Sequence, residues 1–119
     1  MRANRPLAGK KVVERFKEKE AFAIDVILEH ILELTEIGIF GSYARNTYTT
    51  LSDIDILVVA KERTPRTIRG SIRDELSLLD VDVHFVSEDY FMNSTDNFMR
   101  KVREDYIRRV YCFKRIVSS

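Results

Sequence analysis

The residues best suited to chemistry in this chain are a set of aspartates and a Gly-Ser turn. Asp53 and Asp55 alternate with isoleucines at the head of an apolar run, DIDILVVA, and Asp82 sits in a second run, VDVHFV. Side chains alternate across a strand, so Asp53 and Asp55 share one face while Ile54, Ile56 and Val58 line the other. Carboxylates about 7 Å apart along a strand repel each other unless a cation lies between them. Burying them without such a partner is costly. In the second run Asp80, Asp82 and His84 share a face opposite Val81, Val83 and Phe85. If the two strands are neighbours with matched faces, three carboxylates converge. An oxygen-rich cluster of that kind suits Mg²⁺ or Mn²⁺, with phosphate and water completing the shell.

Gly41-Ser42 stands between an expected strand and an expected helix start. Free backbone N–H groups and the helix dipole favour an anion at such a turn. A phosphate cradle followed by metal-binding carboxylates points to nucleoside triphosphate chemistry. Taken singly, each feature has a plainer reading: a turn, a polar strand end, a carboxylate paired with an arginine. In this order and on matching faces they outweigh those readings. His84 reads as a half-buried strand histidine rather than a ligand, because Mg²⁺ prefers oxygen. His30 has no companion and reads as structural. Tyr43, Tyr48 and Tyr90 could stack on a base, though packing is the simpler role for each.

The elements that must position these groups follow from periodicity. Residues 1 to 9 read as a flexible arm. Val13, Phe16, Ile24, Ile27, Leu28 and Ile31 recur at helical spacing between about Lys10 and Leu34. EIGIFG (Glu36 to Gly41) is a short strand closed by glycine, SYARN one or two helical turns, and TYTTLS a loop. Asp53 to Ala60, rich in β-branched residues, is the clearest strand. Thr64 as N-cap and Pro65 at the first helical position open a helix with Ile68, Ile72, Leu76 and Leu79 on its buried stripe. Val81 to Val86 is a third strand. Ser87 can cap a turn through Phe91, and Ser94 or Thr95 starts a helix carrying Phe98, Met99 and Val102. Beyond Asp105, Tyr106, Val110 and Phe113 fit a helix, while RRVYCF also fits an edge strand. The expected fold is α/β (α+β), a small mixed sheet with packed helices.

The 119 residues make one domain by size, and 45% hydrophobic with 33% charged residues is a globular composition. The apolar runs are too short to span a bilayer and the N-terminus lacks a signal core, so a soluble cytoplasmic protein is expected. One cysteine, Cys112, excludes an internal disulfide and a cysteine-based zinc site. The net charge of +1 gives no global field for nucleic acid. Arg100, Lys101, Arg103, Arg108, Arg109, Lys114 and Arg115 crowd the C-terminal segment, either as a solvated face or as a docking surface for an acidic partner. No aromatic RNA-binding motif accompanies them, and direct nucleic-acid recognition is not expected.

The stretch GSYARNTYTTLSDIDILVV resembles the signature of the minimal nucleotidyltransferases of the DNA polymerase β superfamily. Gly41, Ser42, Ala44, Arg45, Ser52, Asp53 and Asp55 fall in register, and Asp82 suits the third carboxylate. The resemblance spans roughly Glu36 to Val86 and implies a polymerase β-like fold over a single domain, 1 to 119. It implies ATP as substrate and a two-metal mechanism with Mg²⁺ or Mn²⁺. Asp53 and Asp55 would bind both ions, and Asp82 the one beside the incoming hydroxyl. Gly41 and Ser42 would hold the triphosphate, with Arg45 a weaker contributor or a cation paired with an acid. The family usually has glycine where this chain has Asn46, the best substitute in a left-handed conformation. Proteins of this minimal type resemble the antitoxin halves of two-gene systems whose toxin is a HEPN-domain ribonuclease. In those systems AMP passes from ATP to a toxin tyrosine. The rival readings are AMP transfer to a small-molecule hydroxyl, and a binding module that covers its partner sterically.

Overall fold

The computed structural model describes residues 9–112. Most of the arm expected at 1 to 9, together with Phe113, Lys114 and Arg115, lies outside the described residues. The elements run α1 (Lys10–His30), β1 (Leu34–Phe40), α2 (Gly41–Arg45), β2 (Ile54–Ala60), α3 (Arg66–Glu75), β3 (Val81–Ser87), α4 (Glu88–Asn93), α5 (Asn97–Asp105) and β4 (Ile107–Tyr111). The sheet order is β3-β2-β1-β4; β2 and β3 are parallel and the other pairs antiparallel. This is the mixed sheet expected from the sequence.

Parallel strands need a crossover that returns the chain to its starting end. Here α3 supplies it, so β2 and β3 both enter the sheet at the same end. Antiparallel β1 finishes at that end, with Phe40 opposite Asp55. The topology therefore gathers the end of β1 and the starts of β2 and β3 at one edge of the sheet. Alternation then sorts the side chains. Ile54, Ile56, Val58 and Val83 face the core built with Phe16, Ile27 and Ile72 of α1 and α3. Leu57, Val59 and Val86 face Met99 and Val102 of α5.

Several boundaries differ from the periodicity. α1 ends at His30, short of Leu34, because Ile31 turns to extended backbone and Leu34 opens β1 opposite Ala60. Thr64 does not cap α3: Pro65 is the residue flanking it, and the Thr64 hydroxyl is buried without a partner among the described residues. α5 starts after Asp96, whose carboxylate accepts from the Met99 N–H at 2.9 Å, so neither Ser94 nor Thr95 is its cap. Ser87 does cap α4, accepting from the Tyr90 N–H. The ambiguous segment after Asp105 is strand β4, completing one edge of the sheet. Cys112 packs half-buried against the core. Among the described residues no helix is long and apolar enough to cross a membrane.

Candidate active site

In the parallel register Asp55 pairs with Asp82, and Leu57 with His84. Asp55 and Asp82 thus lie side by side on the α4–α5 face. One ligand atom each of Asp55, Asp82 and His84 lie within 4.8 Å of one another. His84 Nε2 is 3.3 Å from Asp82 Oδ2, and its ring packs between Phe40 and Phe98. Asp53, expected as the first residue of the strand, instead precedes β2 and is exposed. It is near enough to act on Asp55 electrostatically but stands outside the three-residue cluster. Asp80, placed by alternation on the same face, pairs with Lys19 of α1 at 3.7 Å.

Asp55 is half-buried, and burial pushes its carboxyl above the usual aspartate range. His84 opposes that shift; Asp82, Asp53 and Asp105 add to it. Loss of hydration and negative neighbours both disfavour the ionised form. The expected repulsion between carboxylates is therefore present, with one imidazole as the nearest counterweight.

The Gly41 turn abuts this cluster. Gly41 has φ +79°, in the left-handed region, and a Cβ there would collide with Asp55 Oδ2. Glycine is thus required twice, by conformation and by the approach of the carboxylate. α2 ends at Asn46, which has φ 64° and ψ 34°, the left-handed geometry expected of it. Asp105, at the end of α5, joins the turn to the rest of the fold. It accepts the Gly41 N–H at 2.9 Å and an Arg45 N–H at 2.6 Å. Arg45 is thus a cation paired with an acid, and the Gly41 N–H already has a partner. Ser42 stands half-buried beside them.

Sequence reasoning did not single out Asp105, and His84 is the half-buried strand histidine it expected, placed beside the two carboxylates. The signal for Asp105 was a reversed charge pattern: Glu104-Asp105 closes a helix whose C-terminus disfavours anions. Acids placed there are held by something else. His30 does have a companion, Glu75 of α3, at 2.5 Å. Tyr43 and Tyr48 are core residues stacked around Phe16. Part of the basic C-terminal segment is engaged internally, while Arg100 and Lys101 are exposed. Arg103 donates to the Phe91 and Ser94 carbonyls, Arg109 to Glu20, and Arg108 lies 3.9 Å from Glu36.

The sequence pattern of the nucleotidyltransferase domain family matches residues 10–116. A Methanocaldococcus jannaschii protein named as a candidate protein adenylyltransferase is 40% identical over 83 residues, 68% of this chain and 82% of that one. The fold is similar to a chain in a crystal structure of a toxin–antitoxin with AMP-PNP, with TM-score 0.56 and 26% identity, covering 71% of this chain and 67% of that one. It is also similar to a chain in the structure of the tri-AMPylated Shewanella oneidensis HEPN toxin in complex with its MNT antitoxin. That match has TM-score 0.53 and 24% identity and covers 77% and 69% of the two chains. The chain belongs to the nucleotidyltransferase domain family, and it is an enzyme of that class.

Proposed function

We propose that this nucleotidyltransferase moves AMP from ATP onto a tyrosine of a HEPN-domain ribonuclease and thereby acts as its antitoxin. The observation that carries this reading is the parallel pairing of Asp55 with Asp82 beside the left-handed Gly41 turn. The adenylyltransferase name of the Methanocaldococcus relative and the AMPylated HEPN toxin of the Shewanella complex support the choice of donor and acceptor.

The donor set fits a divalent cation. Asp55 and Asp82 offer oxygens, His84 a nitrogen, and burial together with the neighbouring carboxylates holds Asp55 above its usual range. Asp53, Asp55 and Asp82 would hold a pair of Mg²⁺ or Mn²⁺ ions, and such ions offset charge on the α-phosphate and on departing pyrophosphate. Ser42, at the Gly41 turn, would orient the triphosphate, with Arg45 held beside it by Asp105. The phenolic oxygen bonds to the α-phosphorus as its bond to the bridging oxygen breaks. Pyrophosphate leaves, and the phenolic proton passes to solvent through the carboxylate cluster.

The test is incubation with the HEPN partner, Mg²⁺ and ATP labelled at the α-phosphate. Label should appear on a partner tyrosine. The Asp53→Asn/Asp55→Asn variant should lower its rate by about 10²-fold or more while still binding the partner. Full silencing of the ribonuclease by that variant would overturn the reading in favour of steric cover.

A further inference from the structure

β3 is an edge strand, and a groove of about 500 Å³ runs along it. Arg63 and Arg73 form one bank, Tyr90 and Phe98 the other, and His84 connects the groove to the carboxylate cluster. The Arg73 guanidinium reaches around the edge to the Val83 carbonyl at 3.0 Å and lies over the Phe85 ring. Arg66, Arg69 and Arg73 follow one another at helical spacing on α3, so one face of that helix carries guanidinium groups. Among the described residues none of Arg63, Arg66, Arg69 and Arg73 lies in an ion pair. The Arg69 Nε is buried without a hydrogen-bond partner among the described residues. Burial, then Arg63, Arg73 and Arg66, hold Arg69 below the usual arginine range. Four clustered guanidinium groups without an ion pair among the described residues form a surface complementary to an anion.

The place of the groove narrows the choice of anion. Reading across the sheet, the Gly41 turn follows β1, Asp55 lies on β2, Asp82 and His84 on β3, and the groove lies beyond. In-line displacement puts the attacking and leaving oxygens on opposite sides of the phosphorus. With pyrophosphate at the Gly41 end, the acceptor hydroxyl arrives from the β3 side. An edge strand also offers main-chain groups to an extended peptide.

Resting on the transfer reading above, we propose that this groove is the docking track for the acceptor polypeptide. Arg63 and Arg73, supported by Arg66 and Arg69, select an extended segment whose acidic side chains follow the acceptor tyrosine. Asp82 to Ser87 spans about 16 Å of strand, so the acids fall a few residues from that tyrosine.

The probes are a short fluorescent peptide with one tyrosine followed by glutamates, its glutamine counterpart, and a single-stranded RNA of matching charge. Anisotropy with the full chain should show salt-sensitive binding of the glutamate peptide in preference to both others. Arg63→Glu/Arg73→Glu should weaken that binding by about tenfold or more and favour a lysine peptide instead. Arg63→Glu/Arg66→Glu, both at exposed positions, gives the same readout without disturbing the Arg73 contacts. Calorimetry with AMP-PNP should give equal affinity for the wild type and these variants. A parallel loss of AMP-PNP binding would assign the arginines to the nucleotide and overturn the proposal. Equal binding of the glutamate and glutamine peptides, or tighter binding of the RNA, would overturn it as well. Glutamate-peptide binding as described, with no label ever leaving ATP for a protein, would uphold the docking surface and remove the transfer reading.

Discussion

Two sets of carboxylates border the same sheet, and they are treated in opposite ways. Glu20 is only 8% exposed, yet it accepts the Tyr43 hydroxyl at 2.8 Å and the Arg109 Nε–H at 2.6 Å. Glu36 is equally enclosed and accepts the Tyr106 hydroxyl at 2.6 Å, with Arg108 beyond it. Burial and these glutamates drive both phenols far above the ordinary tyrosine range, so they stay hydrogen-bond donors at any working pH. Asp55 is less buried and worse off. Asp82, Asp53 and Asp105 stand near it, against one imidazole. Depth of burial therefore does not separate Glu20 and Glu36 from the candidate-site acid Asp55; the sign of the neighbours does.

The contrast breaks most visibly at Glu20. Glu20→Ala would leave the buried Tyr43 hydroxyl without an acceptor and Arg109 without its counter-charge. The expected cost is about 2–3 kcal/mol, since Arg109 keeps some exposure to water. Urea unfolding measures it as a lower midpoint at unchanged slope. A loss within experimental error would mean that this network is as unresolved as the one at Asp55.

The uncompensated cluster was the legible part of the sequence, and the compensated network was not. Asp55 and Asp82 could be placed together because strand alternation is local and a βαβ crossover fixes which ends meet. Glu20, Tyr43 and Arg109 come from α1, α2 and β4, and no periodicity announces that they touch. The same reason hid Asp105 from view and the groove along β3. Each depends on how a helix end or a sheet edge docks across the fold. Helix termini were misread by local chemistry: Thr64-Pro65 has the form of a cap, but the chain at Pro65 is extended and leaves Thr64 buried and unused. A count of arginines in the C-terminal segment likewise does not show that Arg103 and Arg109 are bonded inside the fold.

Asn46 sharpens the comparison at a single backbone position. Its left-handed conformation closes α2 beside the carboxylate cluster, and glycine would adopt it at least as readily. Asn46→Gly should leave the melting temperature nearly unchanged. A β-branched Asn46→Val should cost about 1–2 kcal/mol and lower nucleotide affinity by displacing the Gly41 turn. Equal melting temperatures for the two variants would show that the turn bears no such constraint.

The smallest expected effect carries the opposite sign to that at Glu20. Because burial and negative neighbours raise the Asp55 carboxyl above its usual range, the fold favours its protonated form. Its contribution to stability is then fully present below the ordinary aspartate range and is lost as pH rises through the raised value. At neutral pH the metal-free protein bears that loss, and Asp55→Asn removes it. The metal-free variant should therefore melt slightly above the wild type at neutral pH. The gap should close on acidification, as wild-type Asp55 takes up its proton. Added Mn²⁺ should reverse the order by stabilising the wild type alone. Scanning calorimetry across pH, with and without Mn²⁺, tests all three trends. A metal-free variant that melts below the wild type at neutral pH would place Asp55 with Glu20 and Glu36, among the carboxylates that hold the fold together.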